Sequence, residues 1–450
     1  MSRDPLALVC LFSVALAAAA PTAGAAMLQD STSVEAWRLG NGLEVRVRDV
    51  PGAGSVAITL AYRAGTFLDP ADRPDLAALL AQVQFTAPAG EIPERALGEM
   101  SSVRPLGWGV TTNPHLALLT EVASADRFAG VLHEVALRAR GVRTNDSCVA
   151  HALAGVRRSV GESRYGGDVE AALYERVRDL ALGLDEAQLL DRSRGRGLAR
   201  ITRVQVDTLL KRYYCAANAS LALVGDFSAF DLHALLEREF GGIPPGVAQP
   251  DPPAERLSGA VRASIMPGLS ASRGVMGVFA PAIEDTLHPA FYLNALILGG
   301  WWSRQAEDAG SSLRSHFQYS LFDEPELARF DFDVRPGPVD LKAQALPFDV
   351  AVEEFARLLL TGEIHELFRR NVEWLLGGPM GPQLRRQANN TPSILSTIAT
   401  TTATRAIWKG DAFWARYLDR FETARFGATT FLRWLKAPEH QALLVLQPRP

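Results

Sequence analysis

Apolar and polar positions alternate along the stretch that begins at Leu43. Leu43, Val45 and Val47 are apolar, and Glu44, Arg46 and Arg48 are charged. A period of two predicts a strand with one buried face and one wet face. Gly40-Asn41-Gly42 supplies a tight turn before it, and Val56, Ile58 and Leu60 repeat the alternation in a second strand. The period then changes. Leu76, Leu79, Leu80 and Val83 fall at i, i+3, i+4 and i+7, which predicts a helix over 74–85 with one apolar stripe. Further helices are predicted over 125–140 and 147–182, with Asp146 or Ser147 as the N-cap. In "ITRVQVDTLLKRYYCAANASLALVGDF" a helix precedes a strand. There Ala219, Leu221 and Leu223 alternate until Gly225-Asp226 ends the run, and a short helix follows to about Phe240.

The pattern breaks at "GGIPPGVAQPDPPAERLSGA", a stretch rich in Pro and Gly and poor in large apolar residues. That is linker composition. Beyond it the order of elements repeats. Strands are predicted at "VRASIMP" and "RGVMGVFAP", a helix over about 286–298 stopped by a Gly-Gly turn, and a long helix near 347–379. The final strand, "QALLVLQP", echoes "ASLALVGDF". The expected fold is α+β: two homologous α/β-sandwich units, each a mixed or antiparallel sheet with helices packed on it, joined by the Pro-rich linker. The expected boundaries are 1–25 for a leader, 26–245 for the first unit, 246–258 for the linker and 259–450 for the second unit.

Composition narrows the function classes. The 450 residues are 48% hydrophobic, enough for large cores, and the net charge is −4. No basic run with interleaved aromatics is present, so nucleic acid is not an expected partner. At the N-terminus Arg3 precedes an apolar run from Pro5 to Ala20, followed by Pro21 and an Ala23-Gly24-Ala25 cleavage signal. This reads as a secretory signal, so the mature chain is expected to be exported and periplasmic, without a membrane span. Cys10 lies in that leader. Cys148 and Cys215 remain, and export would permit a disulfide between them.

The chemistry is most informative on the helix "DLAALLAQVQF". Positions 78 and 82 lie one turn apart on a face other than the apolar stripe, with 81 beside them. Two histidines at that spacing with an adjacent glutamate can grip zinc and supply a general base. The opening "LGNGLEVRVRDVPGAGSVAITLAYRAGTFLDPADRPDLAALLAQVQF" resembles that of the pitrilysin/insulinase family of zinc peptidases, which includes the mitochondrial processing peptidases. The family's inverted zinc motif is H-x-x-E-H. "VRRSVGESRYGGDVEAALYERV" resembles its third-ligand helix, and "LKRYYCAANASLALVGDFSAFDLHALLEREFGGIP" resembles the close of its first half. Set against the family, Ala78 stands at the first zinc histidine, Ala81 at the catalytic glutamate, Gln82 at the second histidine and Ser159 at the third ligand. Alanine has no lone pair, a neutral amide is a poor zinc ligand, and a serine hydroxyl is weak unless ionised. No metal, no cofactor and no catalytic residue are therefore expected. Glu162 and His151 lie near Ser159 on the predicted helix, and they read as a solvated glutamate and a surface or interface histidine.

"NALILGGWWSRQAEDAGSSLRSHFQYSLF" resembles the family's second-half motif. The resemblance casts Arg314 and Tyr319 as a substrate-binding pair, with Tyr319 a donor to the oxyanion and Gly299-Gly300 a turn beside the substrate. The plain readings are a half-buried strand tyrosine and a simple helix stop. The separation of five between Arg314 and Tyr319 is two shorter than in the family. Trp301 and Trp302 suit either a peptide groove or a core. The resemblance implies a non-catalytic subunit that pairs with a zinc-bearing paralogue as a heterodimer and binds peptides or unfolded polypeptide. The alternative is a stand-alone peptide-binding or scaffold protein.

Overall fold

A computed structural model describes residues 34–447 except 71–72, 74, 166–175, 184–197, 251–258, 266–271, 309–316, 322–323, 334–340, 362–391 and 424–427. The leader, most of the linker's C-terminal part, Arg314 and the end of the expected 347–379 helix lie outside the described residues.

The first sheet contains β1 (Val34–Arg38), β2 (Glu44–Asp49), β3 (Ser55–Tyr62), β4 (Trp108–Thr112), β5 (Ala117–Ser124) and β6 (Ala219–Gly225), in the order β1-β2-β6-β3-β5-β4. The second contains β7 (Ala260–Ile265), β8 (Arg273–Phe279), β9 (Phe317–Ser320), β10 (Glu324–Asp333) and β11 (Gln441–Gln447), in the order β7-β11-β8-β10-β9. The two sheets share a plan. β2 pairs parallel to β6 as β7 pairs parallel to β11, and the strands beyond them pair antiparallel in both. The repeat expected from the sequence is present in the strand topology.

One face of the first sheet carries α1 (Leu76–Thr86), with α2 (Phe128–Arg140), α3 (Asp146–Tyr165), α4 (Arg203–Tyr213) and α5 (Leu232–Phe240) in the same core. The expected N-cap of α3 shifts by one. Asn145 holds the helix start, its Oδ1 accepting from the Cys148 amide at 2.7 Å. Cys148 and Cys215 are both buried free thiols, so no disulfide joins them.

The opposite face was expected to be wet and is not. All of β3 is buried, because α8 (Pro392–Ile407), contributed from far along the chain, lies across β3 and β6. The residues beneath it are small: Ala57, Thr59 and Ala61 on β3, and Ser220 and Ala222 on β6. Small side chains on both surfaces allow close approach, and a hydroxyl ladder runs through the contact. Thr59 Oγ1 lies 3.0 Å from Thr120 Oγ1, which lies 3.4 Å from Thr400 Oγ1. The helical residues 176–181 make the reverse crossing. Val177, Leu180 and Ala181 pack against Val275, Phe279 and Leu444 of the second sheet.

In the second half, α6 (His288–Asp308) packs with α9 (Asp411–Thr423) and α10 (Ala428–Leu435), and α7 (Leu341–Thr361) lies against β8. The Gly-Gly turn expected at 299–300 is absent: α6 runs through it unbroken. A Cβ on Gly299 would sit 2.1 Å from Phe317 Cδ1, so the missing side chain lets the helix seat on β9. Trp302 belongs to the core, its Nε1 donating to the Asp331 carbonyl at 3.2 Å. No described helix is long and apolar enough to cross a membrane.

Candidate functional site: a degenerate metal helix

The loop before α1 fixes the start of that helix. Asp75 takes a left-handed φ of 66°, and the Asp69 carboxylate accepts from the amides of Asp75 at 2.8 Å and Ala77 at 2.7 Å. An anion placed there satisfies N–H groups that the helix cannot, and it complements the positive end of the helix dipole. The C-terminal turn is tied down by polar side chains. Gln84 Nε2 donates to the Arg138 carbonyl at 2.7 Å, and Thr86 Oγ1 donates to the Gln82 carbonyl at 2.7 Å.

Behind this turn lies a buried ion network. Arg104 pairs with Glu121 and, at 2.8 Å, with Glu134; Arg138 Nη1 reaches Glu121 at 3.0 Å, and Arg95 reaches Glu134 at 2.8 Å. Burial alone would raise the Glu134 carboxyl, but the guanidiniums of Arg104 and Arg95 hold it below the ordinary range. Arg138 also lies 5.6 Å from the Phe85 ring, and Phe85 stacks on Trp108 of the edge strand β4. The network therefore pins α1 and α2 to the sheet. It uses carboxylates as structural counter-ions, away from positions 78–82.

The four positions that the resemblance sets at the zinc motif divide as follows. Ala78 is partly exposed, while Ala81 is fully buried within the helix layer. Gln82 is 9% exposed and points at α3, where a Cβ on Gly155 would meet its Oε1 at 2.5 Å. That Oε1 is buried and accepts no hydrogen bond. Ser159 lies one turn beyond Gly155 on α3, and its side chain is outside the described residues. The side chains here do not fit zinc: two offer no donor atom and the third offers one neutral amide oxygen. Among the described residues no group of three or more His, Cys, Asp and Glu could hold a metal ion. His151 faces elsewhere, its Nδ1 2.6 Å from Glu94 on an exposed surface.

Tyr319 lies in the core of the second half. It is 3% exposed on β9, with its hydroxyl 3.3 Å from His288 Nε2, while His288 Nδ1 lies 2.6 Å from the Tyr417 hydroxyl. Tyr292 and Phe291 pack against its ring. Burial drives the Tyr319 hydroxyl well above the ordinary tyrosine range. The hydroxyl faces a core cluster and not an open groove, because β9 turns this side chain inward under α6. Gly299 likewise serves helix–strand packing. His288 and Tyr417 were not singled out in the sequence. They lie 129 positions apart, and no local pattern links them.

The comparisons with known proteins agree with this architecture. Residues 200–326 match the family model described as the peptidase M16 inactive domain. No curated protein matches the chain. Among solved structures, a protease from Helicobacter pylori superposes with a TM-score of 0.71 at 15% identity, covering 92% of this chain and 99% of that one. The periplasmic protease PqqL from Escherichia coli gives 0.65 at 12% identity over 93% of this chain and 48% of that one, so this chain spans about half its length. The peptidase M16 inactive domain from Pseudomonas fluorescens gives 0.61 at 15% identity, covering 93% of this chain and 98% of that one. The fold is that of M16-type peptidases.

Proposed function

We propose that this chain is a non-catalytic, peptidase-like subunit that pairs with a zinc-bearing paralogue, is exported to the periplasm, and contributes peptide binding to the joint enzyme. One observation carries the reading: α1, the helix that the resemblance sets at the zinc site, presents Ala78, Ala81 and a Gln82 amide oxygen that is buried without a hydrogen bond. Without a Lewis acid or a general base at that place, the family's hydrolytic step has no agent. The match to an inactive domain over 200–326 supports the same view, and the apolar leader supports export. Arg314 remains the candidate for contact with substrate. Tyr319 we assign to the core, because donating to a substrate would require its hydroxyl to leave His288.

Elemental analysis of the purified chain, followed by co-expression with a zinc-type paralogue, tests this. The expected results are substoichiometric zinc, no peptidase activity alone, and activity in the pair that falls with Arg314→Ala. Tyr319→Phe should leave the pair's activity intact while lowering the chain's stability by about 1 kcal/mol, the ordinary worth of one buried hydrogen bond. Tightly bound stoichiometric zinc with chelator-sensitive hydrolysis by the lone chain would overturn the proposal. Peptide binding with no paralogue captured would favour the stand-alone scaffold instead.

A further inference from the structure

A pocket of about 310 Å³ lies where distant segments of the chain converge. The β1–β2 corner contributes Arg38 and Glu44, the end of β3 contributes Arg63, the linker contributes Ala248, and the end of α8 contributes Ile407 and Lys409. The other lining residues are alanine and glycine, which keep the space open. Its size sits at the lower end of small-molecule sites, roughly 300–1,000 Å³.

Of the side chains that line it, those of Arg38, Arg63 and Lys409 are cationic and that of Glu44 is anionic. Glu44 is shared by Arg38, at 3.2 Å, and Arg46. The Lys409 ammonium pairs with Glu284, a half-exposed carboxylate that does not line the pocket. Arg63 Nη2 donates to the Ile407 carbonyl at 2.6 Å, which offsets the negative end of the α8 dipole at the pocket wall. Lys409 itself has a left-handed φ of 67°, and Gly410 follows at 73°, so the chain turns sharply there and leaves the α8 axis beside the pocket.

We infer that this junction pocket binds a small anion of the carboxylate or phosphate class, held by Arg38, Arg63 and Lys409. Guanidinium forks match the planar oxygens of either group, and the ammonium adds a point charge. The site is separate from the degenerate metal helix and does not depend on the proposed pairing. Arg38 and Arg63 belong to the first half and Lys409 to the second, so a bound anion bridges the halves and favours the docked position of α8.

The test is thermal unfolding of the full chain titrated with inorganic phosphate or with succinate, with chloride as the control at constant ionic strength. A ligand that binds only the folded state raises the melting temperature saturably. The expected result is a saturable rise of a few degrees with at least one of the two anions and none with chloride. Lys409→Gln should weaken the response about tenfold, the usual worth of one charge-assisted hydrogen bond. Glu284→Gln, which removes the carboxylate competing for Lys409, should tighten it. Lys436→Gln removes the same charge from a distant exposed pair with Glu353 and should change nothing. Responses to phosphate alone, or to succinate alone, identify which anion the pocket takes. Absence of any response beyond chloride, unchanged binding by Lys409→Gln, or equal weakening by Lys436→Gln would overturn the inference.

Discussion

Gln82, which the family resemblance sets at the second zinc histidine, poses a packing problem in this fold. Its amide oxygen is buried without a donor, a state that costs about 1–3 kcal/mol. The neighbouring helix accommodates it with Gly155, at a position where glycine is otherwise worse than alanine by roughly 0.5–1 kcal/mol. The two positions should therefore be coupled. Gly155→Ala alone is expected to be neutral or destabilising, because the new methyl meets the Gln82 oxygen. In a Gln82→Ala background the same change should be stabilising, with a coupling of about 1 kcal/mol by urea denaturation. Additive effects would show that the contact carries no energy. That Ala78, Ala81 and Gln82 offer no strong zinc donor is plain from residue type; that they stand at the motif positions is what the family resemblance implies. The compensating glycine was not legible, since nothing in a single sequence says that residue 155 faces residue 82.

At the scale of elements, helices α2 and α5 are joined by a titratable contact. His133 Nδ1 lies 2.7 Å from Glu239 Oε2, and Glu91 lies 3.5 Å from the other ring nitrogen. The hydrogen bond to Glu239 raises the His133 pKa against a smaller opposing effect of burial, with Glu91 adding to the rise. A raised folded-state pKa means that the contact stabilises fully below the unfolded value of about 6.5 and loses its contribution as pH climbs through the folded value. The stability gap between the native chain and His133→Gln should thus be widest below about pH 6.5 and close as the pH rises through the raised folded-state value. The imidazole is 42% exposed, so the gap should be small and should shrink further in salt. A gap that widens with pH would refute this assignment. Strand and helix identities were readable at this scale wherever one periodicity held, as in the stripe of α1. The reading failed at Gly299-Gly300, because two glycines look like a helix stop until Phe317 of β9 is known to occupy the space beside Gly299.

At the scale of the molecule, the two halves are interlocked. The core that contains α8 runs from Ala57 and Ala222 of the first sheet to Phe330 and Val445 of the second. His115 of the first half stacks on Trp408 at a centroid distance of 4.6 Å, next to the Arg63 contact at the helix end. Overfilling this contact should weaken both halves together. Ala403→Leu, at a fully buried α8 position, is expected to cost about 1–3 kcal/mol. Amide exchange in β3 and β8 should accelerate to a similar extent in that variant. Acceleration confined to one sheet would mean that the halves unfold independently. The alternation in β3 foretold a wet face. Ala57, Thr59 and Ala61 there were instead the seat of a helix that arrives more than three hundred residues later.

The sequence by itself determined the repeated α+β plan and the lack of any donor atom in the side chains of Ala78 and Ala81, where the family resemblance sets the motif. Periodicity is a local property of the chain, and an alanine side chain has no lone pair in any fold. Only the tertiary structure decided that the Tyr319 hydroxyl turns to His288, that the back of the first sheet is covered, and that Arg38, Arg63 and Lys409 surround one pocket. Those outcomes depend on which distant surfaces meet, and burial is set by the partner as much as by the residue.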